Sequence, residues 1–103
     1  PSNLVLPYCQ EAMKTRCLEN RLFAVTCNRT GTENRGGKSL AYTGKSQAVN
    51  FRSEVLLRAG EDEETVGIVD IDPGLATDKA INRYNDLFRD RRPGFYGEIV
   101  KSP

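Results

Sequence analysis

The 103-residue sequence has no histidine and no tryptophan, and only three cysteines. Without an imidazole there is no Ser-His-Asp triad, no Cys-His dyad and no histidine-ligated zinc, so any catalysis rests on carboxylates, lysine or thiol. Cys9, Cys17 and Cys27 are odd in number, lack C-x-x-C spacing and follow no signal peptide. That pattern argues against a disulfide framework and for a reducing, cytoplasmic setting, in which the sequon Asn28-Arg29-Thr30 carries little weight. No apolar run approaches the roughly 20 residues that a membrane helix needs. Basic and acidic side chains nearly cancel, 15 against 14, which leaves no basic stripe for a nucleic-acid backbone.

What is present reads as one soluble globular unit with a packed core, of a size where stability is marginal. Ala12, Met13, Cys17, Leu18 and Leu22 recur at helical intervals among charged residues, predicting an amphipathic helix from Cys9 to about Arg21. Phe23 to Cys27 then reads as a strand running into Asn28. The polar, glycine-rich stretch Thr30 to Ser39 reads as a mobile surface loop. Gln47–Phe51, Val55–Leu57 and Val66–Ile71 read as three strands of an antiparallel meander. Asp72-Pro73 suits the start of a further helix, with Asp72 as its cap. The chain ends in an aromatic and arginine-rich tail broken by Pro93-Gly94. Charge is uneven: residues 1–60 carry nine basic and four acidic groups, residues 61–103 six and ten. The acidic run Glu61 to Glu64 reads as a solvated turn, with no metal-ligand spacing.

Gly31-x-x-x-x-Gly36-Gly37-Lys38-Ser39 is one residue out of register for a phosphate loop, and strand rather than helix is expected after it. Gly44-Lys45-Ser46 has Ser39 where the first glycine of that motif would stand. Cys17 and Cys27 read as small buried hydrophobes. Cys9, near a helix start, has the one setting that could lower a thiol pKa, but no histidine is available as its base. Glu19 suits a surface ion pair with Arg16, and Asn28 a turn at a strand end. Asp86 to Pro93 alternates charge around Leu87 and Phe88, a pattern suited to an inter-subunit salt-bridge network.

Taken in order, these segments resemble one family. Arg16-Cys17-Leu18-Glu19-Asn20-Arg21-Leu22-Phe23, then Val25-Thr26-Cys27-Asn28-Arg29, resembles the R-A-x-E-N and A-N-R-x-G signature of the nitrilase superfamily, the carbon-nitrogen hydrolases. Tyr42 to Ser46 is similar to its F-x-G-x-S entry, Asn50 to Leu56 to its P-x-G-E-V-L hairpin, Val69 to Asp72 to its D-I-D strand, and Asp90 to Tyr96 to its D-R-R-P closing segment. The resemblance implies an α/β fold, a partial four-layer α-β-β-α sandwich in which residues 1–103 form the C-terminal portion of a single domain: helix, strand, antiparallel meander, C-terminal helix and tail. It implies a small-molecule amide or nitrile substrate, a homo-oligomer, and no cofactor, metal, nucleic acid or membrane. The family's cysteine nucleophile, glutamate base and lysine are expected upstream of Pro1, so no catalytic residue is assigned here, Cys9 included. By resemblance Asn3, Leu4 and Val5 line the substrate pocket and Asn28 approaches it from the neighbouring strand. Glu19 and Asn20 belong to a helix that packs across a dimer interface, and Arg91 and Arg92 to a tail that reaches over a partner subunit. Cys17 and Cys27 stand where alanine is usual. Two other readings remain: an interaction or dimerisation module without catalysis, and a nucleotide-binding enzyme built on Gly31 to Ser39.

Overall fold

Helix α1 (Tyr8–Asn20) contains no glycine or proline, and its outer surface is stitched by the i,i+3 ion pairs Glu11–Lys14 and Arg16–Glu19. The computed structural model describes residues 8–101. The helix buries Gln10 and Cys17 and half-buries Met13 and Lys14, whereas Ala12 and Leu18 face outward. The expected apolar stripe is therefore rotated. Residues 10, 13, 14 and 17 form the inner face because the sheet beneath offers polar as well as apolar partners.

That sheet has three strands in the order β1-β4-β5, comprising β1 (Ala24–Thr26), β4 (Gln47–Val49) and β5 (Val55–Arg58), all antiparallel. The central strand β4 is buried along its whole length. Gln47 and Val49 face α1: Gln47 Nε2 donates to the Gln10 carbonyl at 3.0 Å, and Cys17 Sγ lies 3.9 Å from the Val49 carbonyl. Arg58 donates to Gln47 Oε1 from Nε and Nη2 at 2.9 and 2.7 Å, so a buried glutamine amide is satisfied by both the helix and the edge strand. Phe23 and Phe51 meet edge to face, 5.6 Å between centroids, and close one end of the core. The β4–β5 turn is an Asx turn, with Asn50 Oδ1 accepting from the Arg52 and Glu54 amides at 2.9 and 3.0 Å.

Three expectations are corrected. Thr30 to Ser39 is not a mobile loop: β2 (Thr32–Arg35) and β3 (Lys38–Ala41) form a hairpin around Gly36-Gly37, both at positive φ as a two-residue turn of this kind requires. Its strands are largely exposed, so no apolar alternation announces them. Val66–Ile71 forms no strand. It crosses the sheet so closely that a Cβ on Gly67 would fall 2.3 Å from Leu57 Cδ1, and β1 supplies the third strand instead. The further helix expected from Asp72-Pro73 is short and of another type. Asp72 does cap a helix, accepting from the Gly74 amide at 2.9 Å, but it is a 3₁₀ turn, Pro73–Ala76. A small hairpin, β6 (Ala80–Asn82) and β7 (Asn85–Asp86), and two 3₁₀ turns, Pro93–Phe95 and Gly97–Val100, complete the chain.

The result is a slab of 52 × 42 × 17 Å with a radius of gyration of 17.9 Å. A compact domain of this length would have about 13 Å. One helical layer on one sheet layer leaves much apolar surface outside, including Val25, Val66, Ile68, Phe95 and Ile99.

Candidate functional site

Strands β1 and β4 are in register from Ala24↔Val49 to Thr26↔Gln47; beyond that the ladder is interrupted at residues 45–46 and resumes where the Gly44 amide donates to the Arg29 carbonyl at 2.9 Å. At the interruption Lys45 and Ser46 pair instead with the end of β5: Lys45 donates its amide to the Gly60 carbonyl at 3.0 Å, and Ala59 donates to the Ser46 carbonyl at 2.8 Å. Gly44 and Lys45 both take φ of +55° there. Only glycine fits at 44, because a Cβ there would lie 2.0 Å from the Glu61 carbonyl oxygen. Lys45 Nζ then pairs with Glu61 at 2.6 Å, which holds the head of the acidic run against the loop.

Beside the interruption a cavity of about 320 Å³ opens, lined by Val25, Cys27, Asn28, Ala48, Leu57 and Val69 among others. A more polar recess lies alongside, sharing Asn28 and Ser46 and bounded by Arg29, Glu63 and Thr65. Asn28 stands on the wall between the two. Its Nδ2 donates to Thr43 Oγ1 and to the Gly44 carbonyl, both at 2.9 Å. Its backbone N–H donates to Ser46 Oγ at 2.9 Å, and the same hydroxyl donates back to the Asn28 carbonyl at 3.3 Å.

Beside this wall, Glu33 accepts from the Tyr42 hydroxyl at 2.9 Å and from Arg29 at 3.0 Å, with the Arg29 guanidinium 4.3 Å over the Tyr42 ring. The tyrosine hydrogen bond, and then the arginine, hold the Glu33 carboxyl below its ordinary range, and the same bond raises Tyr42. Burial pushes the Cys17 thiol up, the setting of a packed rather than a reactive sulfur. Among the described residues no three His, Cys, Asp or Glu side chains gather as a metal site, and no helix is long and apolar enough to cross a membrane.

Of the residues singled out from sequence, Asn28 lines the cavity. Asn3, Leu4 and Val5 lie outside the described residues. Glu19 is exposed and paired with Arg16, and Asn20 Nδ2 donates to the Arg16 carbonyl at 3.1 Å. Arg91 stacks 4.7 Å over Phe88 and donates to its carbonyl at 3.3 Å, while the carbonyl of exposed Arg92 accepts from Phe95 at 3.0 Å. These four are not among the cavity residues. Asp86 pairs within the chain, with Arg89 at 3.7 Å. Cys27 is exposed, contrary to the buried hydrophobe expected, because the strand end it occupies faces the open side of the sheet. Gly31 to Ser39 ends in β3 rather than at a helix N-terminus, so it offers no phosphate cradle. Thr43 and Ser46 belong to the Tyr42–Ser46 segment that resembles the F-x-G-x-S entry, but nothing in that motif ties them to Asn28; the glycine between them, at a strand entry, signals a close backbone approach.

A family model for carbon-nitrogen hydrolases matches residues 1–80. The chain is 45% identical over 96 residues to a nitrilase of Pyrococcus abyssi (strain GE5 / Orsay), covering 93% of this chain and 35% of that protein. It is 38% identical over 97 residues to an (R)-stereoselective amidase of a Pseudomonas species, covering 94% of this chain and 33% of that protein. Its fold matches the crystal structure of a carbon-nitrogen hydrolase from Helicobacter pylori G27 with a TM-score of 0.73 at 26% identity, over 89% of this chain and 32% of that one. The chain thus spans about a third of the length of the relatives it matches. On this match of sequence and of fold, the chain belongs to the carbon-nitrogen hydrolases of the nitrilase superfamily.

Proposed function

We propose that these residues form the C-terminal portion of a single hydrolase domain that cleaves non-peptide C–N bonds, in an amide, nitrile or carbamoyl group, with its cysteine, glutamate and lysine upstream of Pro1. The observation that carries this reading is the family match across most of the chain together with a cavity walled by Asn28, at the position where the family resemblance puts a pocket residue. In such a mechanism the thiolate attacks the carbon, the glutamate transfers protons and the lysine stabilises the tetrahedral oxyanion, so the absence of histidine is no obstacle. In this reading Asn3, Leu4 and Val5 line the substrate pocket, Asn28 approaches it from the neighbouring strand, and the rest of the chain is scaffold. The α1 face at Glu19 and Asn20 and the tail at Arg91 and Arg92 serve contacts in a cytoplasmic homo-oligomer.

The test is hydrolysis of a panel of amides and nitriles by the chain alone and by the chain joined to its upstream segment. Turnover only in the joined form supports the reading, and turnover by the 103 residues alone overturns it. A second reading, an interaction module without catalysis, is favoured by one observation: Val66, Ile68, Phe95 and Ile99 are each more than three-quarters exposed. Failure of the joined form to hydrolyse any member of the panel would leave that reading standing.

A further inference from the structure

The β1–β4 ladder is interrupted after Thr26↔Gln47, and continuing the same register would set Asn28 opposite Lys45. Lys45 is in the left-handed region and its amide is given to Gly60, so the backbone partner that Asn28 would have used is gone. The Ser46 hydroxyl takes its place. It accepts from the Asn28 N–H at 2.9 Å and donates to the Asn28 carbonyl at 3.3 Å, satisfying both backbone groups of one residue across the gap. The two N–H bonds of the Asn28 amide are taken up by Thr43 and Gly44, in the same four-residue stretch. Asn28 is thus held at four points by Thr43, Gly44 and Ser46, at the lip of the cavity that it and Ser46 both line.

We infer that Ser46 is a positioning residue for the substrate wall: its hydroxyl bridges the interrupted ladder and fixes Asn28 at the cavity lip. This rests on the reading that the Asn28 cavity meets the substrate of a carbon-nitrogen hydrolase. Serine suits the position for a physical reason. Alanine would open the bridge and free the strand end, whereas threonine keeps the hydroxyl and its β-branch favours strand backbone. A wall contact that binds substrate and transition state alike acts on KM rather than kcat.

The experiment is steady-state kinetics of the intact enzyme on its best amide or nitrile, with melting temperatures measured in parallel. Ser46→Ala and Asn28→Ala are each expected to raise KM about 10-fold with kcat little changed, and the double variant is expected to match the larger single effect rather than their product. Ser46→Thr is expected to restore KM to within about 2-fold of wild type, and Ser39→Ala, on the exposed strand β3, to leave it unmoved. Should Ser46→Ala fail to fold, Ser46→Cys, a weak donor and acceptor of similar size, carries the comparison and is expected to give an intermediate KM. An active wild type with an unchanged KM in the Ser46 variants, or effects that multiply, overturns the inference alone. A wild type that hydrolyses neither substrate class overturns the hydrolase reading and the inference with it.

Discussion

Lys79 Nζ donates to the Arg21 carbonyl at 2.7 Å, and to that of Asn20 at 2.9 Å, so a side chain from the C-terminal third of the molecule caps the end of α1. The helix has no basic residue in its own last turn. It closes with a Schellman turn in which Leu22 donates to Cys17 at 3.1 Å and Arg21 takes φ of +48°. Arg21 returns the contact by donating to the Asp78 carbonyl at 2.7 Å. An ammonium at the negative end of the helix dipole is worth about 1 kcal/mol in a part-buried setting, so Lys79→Met is expected to lower unfolding free energy by about that amount, read by urea denaturation. An unchanged midpoint would show that the cap adds no stability.

Gly44→Ala is expected to cost about 3 kcal/mol or more, because the new methyl meets the backbone oxygen of Glu61 at 2.0 Å in addition to the strain of a positive φ. Gly37→Ala, also at positive φ but with open space around it, is expected to cost only about 1 kcal/mol. Thermal melts of the two variants separate packing from backbone strain, and equal losses would contradict the close approach at Gly44.

Cys17 and Cys27 are expected to part company under alkylation, with exposed Cys27 reacting at once and buried Cys17 only as the protein unfolds, as peptide mapping after iodoacetamide will show. Burial raises the Cys17 pKa in the folded state, so its contribution to stability is complete below the usual thiol value of about 8.5 and is lost as pH rises through the folded value. Cys17→Ala should remove that alkaline loss at a cost of about 1 kcal/mol. Cys17→Ser is expected to cost about 2 kcal/mol, since its more polar hydroxyl must be desolvated beside Val49.

How far the sequence could be read follows from where burial leaves a mark. α1, β1, β4 and β5 were legible as elements, from a helical stretch free of glycine and proline and from runs of β-branched and apolar residues, whereas the buried face of α1, which includes Gln10 and Lys14, was not. The hairpin β2–β3 was not, since it is held by backbone pairing and a glycine turn while its side chains stay in water. Val66 to Ile71 carried the opposite signal: β-branched residues without a ladder, because the segment crosses Leu57 instead of pairing beside β5. At the site, Asn28 emerged from a motif, but its dependence on Ser46 and Thr43 did not. Those contacts span 18 and 15 residues and arise only where the strand ladder is interrupted.

The slab leaves Val66, Ile68, Phe95 and Ile99 in water, and the isolated chain is expected to hide them by self-association. Sedimentation velocity over a range of concentrations should give a weight that rises above 11.5 kDa. A concentration-independent monomer would mean that this surface tolerates solvent.

Mapping the covalent intermediate tests most directly whether the chemistry lies outside these 103 residues. The intact enzyme, quenched during turnover of an amide or nitrile and digested for mass spectrometry, is expected to carry the substrate-derived adduct on a cysteine upstream of Pro1, with Cys9, Cys17 and Cys27 unmodified. A turnover-dependent adduct on any of those three would contradict it.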